Sequence, residues 1–146
     1  MLRILADTGC DPHLLELEVT EDTLTRQHDG VVRAMQLLAP RGISLTINGF
    51  GSSYASLAHL KRLPIRKLKI ASSFIQNIED PHDAAIVRAT VQLGRSLSLQ
   101  VVAEGVETRA QMNFLRLAGC DLAQGHHFGQ AGILKDEHGQ SRPAAA

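Results

Sequence analysis

Five polar residues stand where a chain of this kind could do chemistry: Glu18, Lys69, Glu104, Glu107 and Gln124. Most stand in or close behind a short apolar run, and such runs alternate with longer amphipathic stretches between Leu17 and Gln124. Carboxylates so placed hold divalent cations or move protons, and a lysine beside them holds a phosphate or water oxygen. Each also has a plainer reading. Glu18 is a surface acid of an alternating edge strand if Leu15, Leu17 and Val19 face the core. Lys69 alternates with Leu68 and Ile70 and, where a parallel sheet is covered on both faces, could snorkel its ammonium outward. Glu104 and Glu107 could be acids favoured by the dipole at a helix start.

Positioning these groups takes strands. Residues 14–20, 43–48, 66–70 and 98–103 read as strands, and 121–128 does so less clearly. Most follow Gly or Pro turns and end in a polar residue. His126-His127 resembles a metal pair, but neighbours on a strand point to opposite faces, so packing or solvated histidines are the expectation. Between the strands the spacing predicts helices. Val31, Val32, Met35 and Leu38 share one face, and Ser53–Leu63 carries Leu57, Leu60 and Leu63. A further helix starts near Pro81-His82-Asp83 and runs through Leu97. The last opens at Thr108, with Gln111 in capping-box position, and ends at Gly119 with a buried stripe of Met112, Leu115 and Leu117.

Strand and helix alternating in this way mean βα units, a parallel sheet and right-handed crossovers. Gly49-Phe50-Gly51 is too short for a dinucleotide-binding loop. Polar residues at the C-terminal ends of several strands are instead the habit of a (β/α)₈ barrel. A whole barrel takes about 250 residues, and this chain has 146. The fold expected is α/β: a partial TIM barrel of about five parallel strands alternating with helices.

Composition bounds the partners. The chain is 44% hydrophobic and 21% charged, and its 15 acids match 15 Lys plus Arg. No net field concentrates polyanions, and four Phe, one Tyr and no Trp supply few stacking platforms, so nucleic acid is not an expected partner. Cys10 and Cys120 lack metal-ligand spacing and read as buried or half-buried free thiols in a reducing cytoplasm. No apolar run reaches the roughly 20 residues that cross a bilayer, and a cytoplasmic location without membrane contact is expected. Residues 1–134 read as one domain and 135–146 as a flexible tail.

Five ordered blocks carry a family resemblance. Glu16-Leu17-Glu18-Val19-Thr20-Glu21 resembles an ELTE strand end, and Phe50-Gly51-Ser52-Ser53-Tyr54-Ala55-Ser56-Leu57 resembles an FGTGYSSL loop. Leu60 to Ile65 with Lys67-Leu68-Lys69-Ile70 and Phe74 resembles an LKRLPIDxLKID block and the phenylalanine after it. Ala103-Glu104-Gly105-Val106-Glu107-Thr108 matches AEGVET, and Gly119-Cys120-Asp121 with Gln124-Gly125 matches GCDxxQG. The chain resembles the C-terminal two-thirds of an EAL domain, a barrel that hydrolyses or binds cyclic di-GMP. The resemblance implies metal positions at Glu18, Asn48 and Glu104, catalytic positions at Lys69, Glu104 and Glu107, and ligand contacts at Gln124, Ser52 and Ser53. It implies Mg²⁺ or Mn²⁺ if the family site survives; no tightly bound cofactor is otherwise expected.

Departures from the family pattern fall on the chemistry. The family's DD pair becomes Asn48-Gly49, the aspartate of LKID becomes Ala71, and Ser53 replaces a glycine. The proline expected after the QG strand is replaced by the Gln130-Ala131-Gly132 stretch, and the strands bearing the family's naming glutamate and the next site asparagine would lie upstream of Met1. Two-metal phosphodiester hydrolysis needs bridging hard oxygen ligands that hold the ions about 3.5–4 Å apart. Asn48 can lend a neutral carbonyl oxygen; Gly49 lends nothing.

The function expected is therefore a catalytically inactive EAL-like module with a regulatory or protein-interaction role. A non-hydrolysing cyclic di-GMP receptor, a metal-dependent phosphodiesterase yielding linear pGpG, and a fragment without function are the alternatives. Five strands cannot close an eight-stranded barrel. A homo-oligomer or partner protein is expected to cover the open side, where Leu17, Val19, Leu45, Ile47, Leu68 and Ile70 are taken to face the interior.

Overall fold

Alternation along each strand decides which side of the sheet meets the helices. A computed structural model describes residues 1–26, 28–51 and 60–130. Its strands are β1 (Glu16–Thr20), β2 (Ser44–Phe50), β3 (Lys67–Ile70), β4 (Gln100–Glu104) and β5 (Leu122–Gln124). They form one sheet in the order β1-β2-β3-β4-β5, every neighbouring pair parallel. An order that follows the chain without reversal is a run of barrel strands rather than a doubly wound sheet, which has a switch point. Among the described residues no pairing joins β1 to β5, so the sheet has two edges.

Six α-helices are described: α1 (Leu2–Thr8), α2 (Glu21–Arg26), α3 (His28–Leu38), α4 (Ser72–Gln76), α5 (Pro81–Ser96) and α6 (Arg109–Ala118). The start signals of α5 and α6 act as their chemistry predicts. Asp80 Oδ1 accepts from the backbone N–H of His82 at 2.7 Å and of Asp83 at 3.3 Å, ahead of Pro81 in the first turn. Thr108 and Gln111 form a reciprocal capping box, and Gly119 ends α6 in the left-handed conformation. The helix expected over Ser53–Leu63 falls largely on residues 52–59, outside the described residues; its Leu60 is buried.

The apolar residues of the strands face the helices, which corrects the expectation that they line an open interior. Leu45, Ile47 and Leu68 pack with Leu24 of α2 and Met35 of α3. Ile70, Val101 and Ala103 pack with Val87 and Val91 of α5 and Leu115 of α6. Leu17 and Val19 lie partly buried against the first of these clusters. Each fully buried aliphatic side chain contributes about 1.5–3 kcal/mol. The other face of the sheet carries Glu16, Glu18, Thr46, Asn48, Lys67, Lys69, Gln100, Glu104 and Gln124 together with Val102 and Leu122, so among the described residues it is mainly polar.

Three local expectations also change. Leu117 is 90% exposed, while Gln111 and Leu115 are the buried residues of α6. At about 100° per residue, position 117 stands nearly opposite 115. The last strand stops at Gln124 rather than continuing to Phe128; Gly125–Phe128 is a turn closed by the Phe128 N–H bonding Gly125 O at 3.1 Å. The strand argument for the two histidines therefore does not apply. Cys10 is exposed rather than buried, and both cysteines are free.

Candidate functional site

The parity that buries Leu68 and Ile70 turns Lys69 to the polar face, where it is only 5% exposed. A buried ammonium needs compensating charge. Lys69 Nζ stands 2.8 Å from Glu18 Oε1 on β1 and 3.6 Å from Glu104 Oε1 on β4. It is thus paired inside the fold rather than snorkelling to water. Asn48 of β2 donates Nδ2 to Glu18 Oε2 at 2.9 Å, and Gln124 of β5 donates Nε2 to Glu104 Oε1 at 3.1 Å. One residue from each of the five strands meets in a single polar row. Four of these, all but Asn48, are among the five strand-end candidates read from the sequence.

Asn48-Gly49 sits where the ladder between β2 and β3 slips. Ile47 pairs with Leu68 and Phe50 with Ile70, so two residues of β2 oppose Lys69 alone. Gly49 has φ +72°, a left-handed conformation that is strained for a residue with a side chain. Asn48 keeps the regular register with β1, and alternation puts it on the face of Glu18. Just beyond it, Glu21 accepts the Gly51 N–H on Oε2 at 3.0 Å while being 2% exposed. Glu21 is a site-supporting residue that the sequence reading did not single out. A buried carboxylate thus ties down the residue that follows β2.

Beneath this row lies a second one. Thr46 Oγ1 donates to Glu16 Oε1 at 2.6 Å, and Lys67 Nζ bonds Glu16 Oε2. Burial pushes the Glu16 carboxyl up, but the hydrogen bonds from Lys67 and Thr46 and the charges of Lys67 and Lys69 outweigh it. The carboxyl is held below its ordinary value. This row was also missed, although its signal is present: Glu16 and Lys67 precede Glu18 and Lys69 by two residues and share their face.

Other candidates fall elsewhere. Glu107 is exposed, with its backbone N–H bonding Gln111 Oε1 at 2.8 Å. It shares a cleft with Glu104, Gln124 and His126 but does not join the Lys69 cluster. Ala71, at the family's aspartate position, caps α4 without a side-chain bond. Ser52 and Ser53 lie outside the described residues.

The donor set does not fit a pair of divalent cations. Both oxygens of Glu18 accept hydrogen bonds, from an ammonium and from an amide. A carboxylate can only accept, so Asn48 presents nitrogen to it and not a ligating oxygen. Among the described residues no three His, Cys, Asp or Glu side chains are grouped to hold a metal. Two dications would face Glu18 and Glu104, with Lys69 already neutralising one of these charges.

The sheet order, the strand-end row and the AEGVET turn place the chain in a class: it belongs to the EAL domain family, whose model matches residues 1–131. It is 47% identical over 121 residues to the Pseudomonas aeruginosa bifunctional diguanylate cyclase/cyclic di-GMP phosphodiesterase MucR, covering 82% of this chain and 18% of that protein. It is 44% identical over 125 residues to the cyclic di-GMP phosphodiesterase NbdA of the same species, covering 85% of this chain and 16% of that protein. Among solved structures it superposes on the PaMucR phosphodiesterase in complex with c-di-GMP, with a TM-score of 0.85 and 45% identity over 88% of this chain and 53% of that one. A manganese and cyclic di-GMP complex of Klebsiella pneumoniae BlrP1 gives a TM-score of 0.78 at 31% identity, over 86% of this chain and 32% of that one. The chain thus spans less than a fifth of the two curated relatives named here. No helix among the described residues is long and apolar enough to cross a membrane.

Proposed function

We propose that this chain is a degenerate EAL module that does not hydrolyse cyclic di-GMP and serves cyclic di-GMP signalling as a regulatory or protein-interaction element. The observation that carries the reading is the occupancy of Glu18. Its two oxygens accept from Lys69 and Asn48, where bridging carboxylates would be needed to hold two cations. Lys69 is engaged with the two acids that a metal pair would require, so Mg²⁺ or Mn²⁺ has no adequate cage. The interaction surface is the polar side of the sheet with its edges at β1 and β5, which pair with no further strand among the described residues and so favour pairing with a second copy or another protein.

A second reading, a non-hydrolysing cyclic di-GMP receptor, draws on one further feature. Glu104, Glu107, Gln124 and His126 line a single cleft beside the row, and a solved relative is a c-di-GMP complex. Calorimetric titration with cyclic di-GMP, with and without Mn²⁺, separates the two readings, with light scattering on the same sample. No heat from a folded oligomer supports the interaction element; saturable metal-independent heat supports the receptor. Binding that requires Mn²⁺ and is followed by turnover would overturn both.

A further inference from the structure

At the N-terminal ends of the strands, one step along the same face from the row of Lys69, a second cleft is lined by His13, Glu16, Ser44, Arg66, Lys67 and Gln100. Its single carboxylate is already occupied, since Glu16 accepts from Thr46 on one oxygen and from Lys67 on the other. Arg66 is exposed and makes no ion pair or side-chain hydrogen bond among the described residues. The His13 ring has no polar partner among them either. With Glu16 neutralised by Lys67, Arg66 leaves the cleft locally cationic in a chain whose total charge is zero.

The placement of His13 is built in. Gly42 has φ +90°, and a Cβ there would stand 2.7, 2.8 and 2.9 Å from Cε1, Nε2 and Nδ1 of the ring. The imidazole therefore lies on bare backbone, in a place that any larger residue at 42 would fill. The turn that carries it, Pro12–Leu14, is fixed by Asp11 Oδ1, which accepts the His13 N–H at 2.9 Å.

The geometry points to an oxyanion site in this cleft, and specifically to one that takes a phosphate group. Arg66 offers a planar fork, and Ser44, Gln100 and His13 further donors from separate elements, beside a Lys67 ammonium whose charge is balanced by Glu16. Donors arriving from the starts of three strands and a turn suit the several oxygens of a phosphate, whereas a carboxylate's two oxygens would be met by the guanidinium alone. The phosphate is either free phosphate or the monoester group of a small metabolite. This assignment is independent of whether cyclic di-GMP binds at the other end of the sheet.

The test is an amide chemical-shift titration of the full chain with sodium phosphate, at ionic strength held constant with chloride, and in parallel with glycerol phosphate. The expected result is saturable shifts at Gly42, Ser44, Arg66, Lys67 and Gln100, with Glu104 and Gln124 unmoved. Arg66→Gln should weaken binding by about tenfold, and Arg66→Lys, which keeps the charge without the fork, by less. Thermal melts confirm that both variants fold, as expected for an exposed side chain. Tighter binding of glycerol phosphate identifies a monoester as the ligand; equal binding identifies free phosphate. Shifts no larger than those from chloride, or an affinity unchanged in Arg66→Gln, would overturn the assignment.

Discussion

Asn48 donates its side-chain amide to Glu18 across neighbouring strands, Nδ2 to Oε2 at 2.9 Å, while Lys69 holds the other oxygen of the same carboxylate at 2.8 Å. Each oxygen of Glu18 thereby has one protein donor. An acid at position 48 would replace a hydrogen bond with a contact between two carboxylates.

Asn48→Asp should therefore destabilise the fold in metal-free buffer. The loss expected is about 1 kcal/mol, the net worth of one hydrogen bond at a site that water reaches. Urea denaturation at neutral pH in EDTA measures it. A midpoint equal to that of the parent chain would show that the Asn48–Glu18 bond contributes nothing.

Lys69 is nearly buried between two acids that retain partial exposure, 38% for Glu18 and 33% for Glu104. Breaking a fully buried pair costs about 3–5 kcal/mol, and solvent screening of the acids reduces that here. Lys69→Ala should cost about 2 kcal/mol in the same assay. Glu18→Gln in that background should then restore part of the loss by removing one of the unpaired acids.

Much of this arrangement is legible from residue order, because strand parity alone joins Glu18, Lys69 and Glu104 on one face. The capping residues Asp80 and Thr108 act locally, so the starts of α5 and α6 can be read without tertiary knowledge. The direction of the apolar face cannot. Leu45 and Leu68 alternate with polar residues whether the helices or a barrel interior lie beyond them, and only packing against Met35 and Leu24 decides. The short helices α1, α2 and α4 were not foreseen, since one or two turns carry too little periodicity to register. Leu117 joins the expected buried stripe by hydrophobicity alone, against the helical period that turns it to water. The end of β5 depends on a turn at Gly125 that an apolar count over 121–128 does not detect.

Gly49 relieves the backbone where β2 bulges, since φ +72° is strained for other residues. Gly49→Ala should cost about 1–2 kcal/mol, read as a lowered melting temperature. A neutral substitution would mean that the bulge relaxes without penalty.

Glu16 sets a pH dependence. Its folded-state carboxyl is held below the ordinary range, so its contribution to stability is fully present above the unfolded-state value. It is lost as pH falls through the lower, folded-state value. Acid titration of the chain should therefore show a midpoint that moves to higher pH in Lys67→Met, which removes the main partner. Unchanged acid midpoints in the two chains would remove Glu16 from the account.

The central claim is that the Glu18, Asn48, Lys69 and Glu104 row holds itself together and does not assemble two cations. Incubation of the mass-verified chain with cyclic di-GMP and excess Mn²⁺, with products separated by ion-pair chromatography, tests it most directly. The account predicts that cyclic di-GMP is recovered intact, at the level of a Glu18→Gln control. Mn²⁺-dependent conversion to the linear dinucleotide that Glu18→Gln abolishes would contradict it.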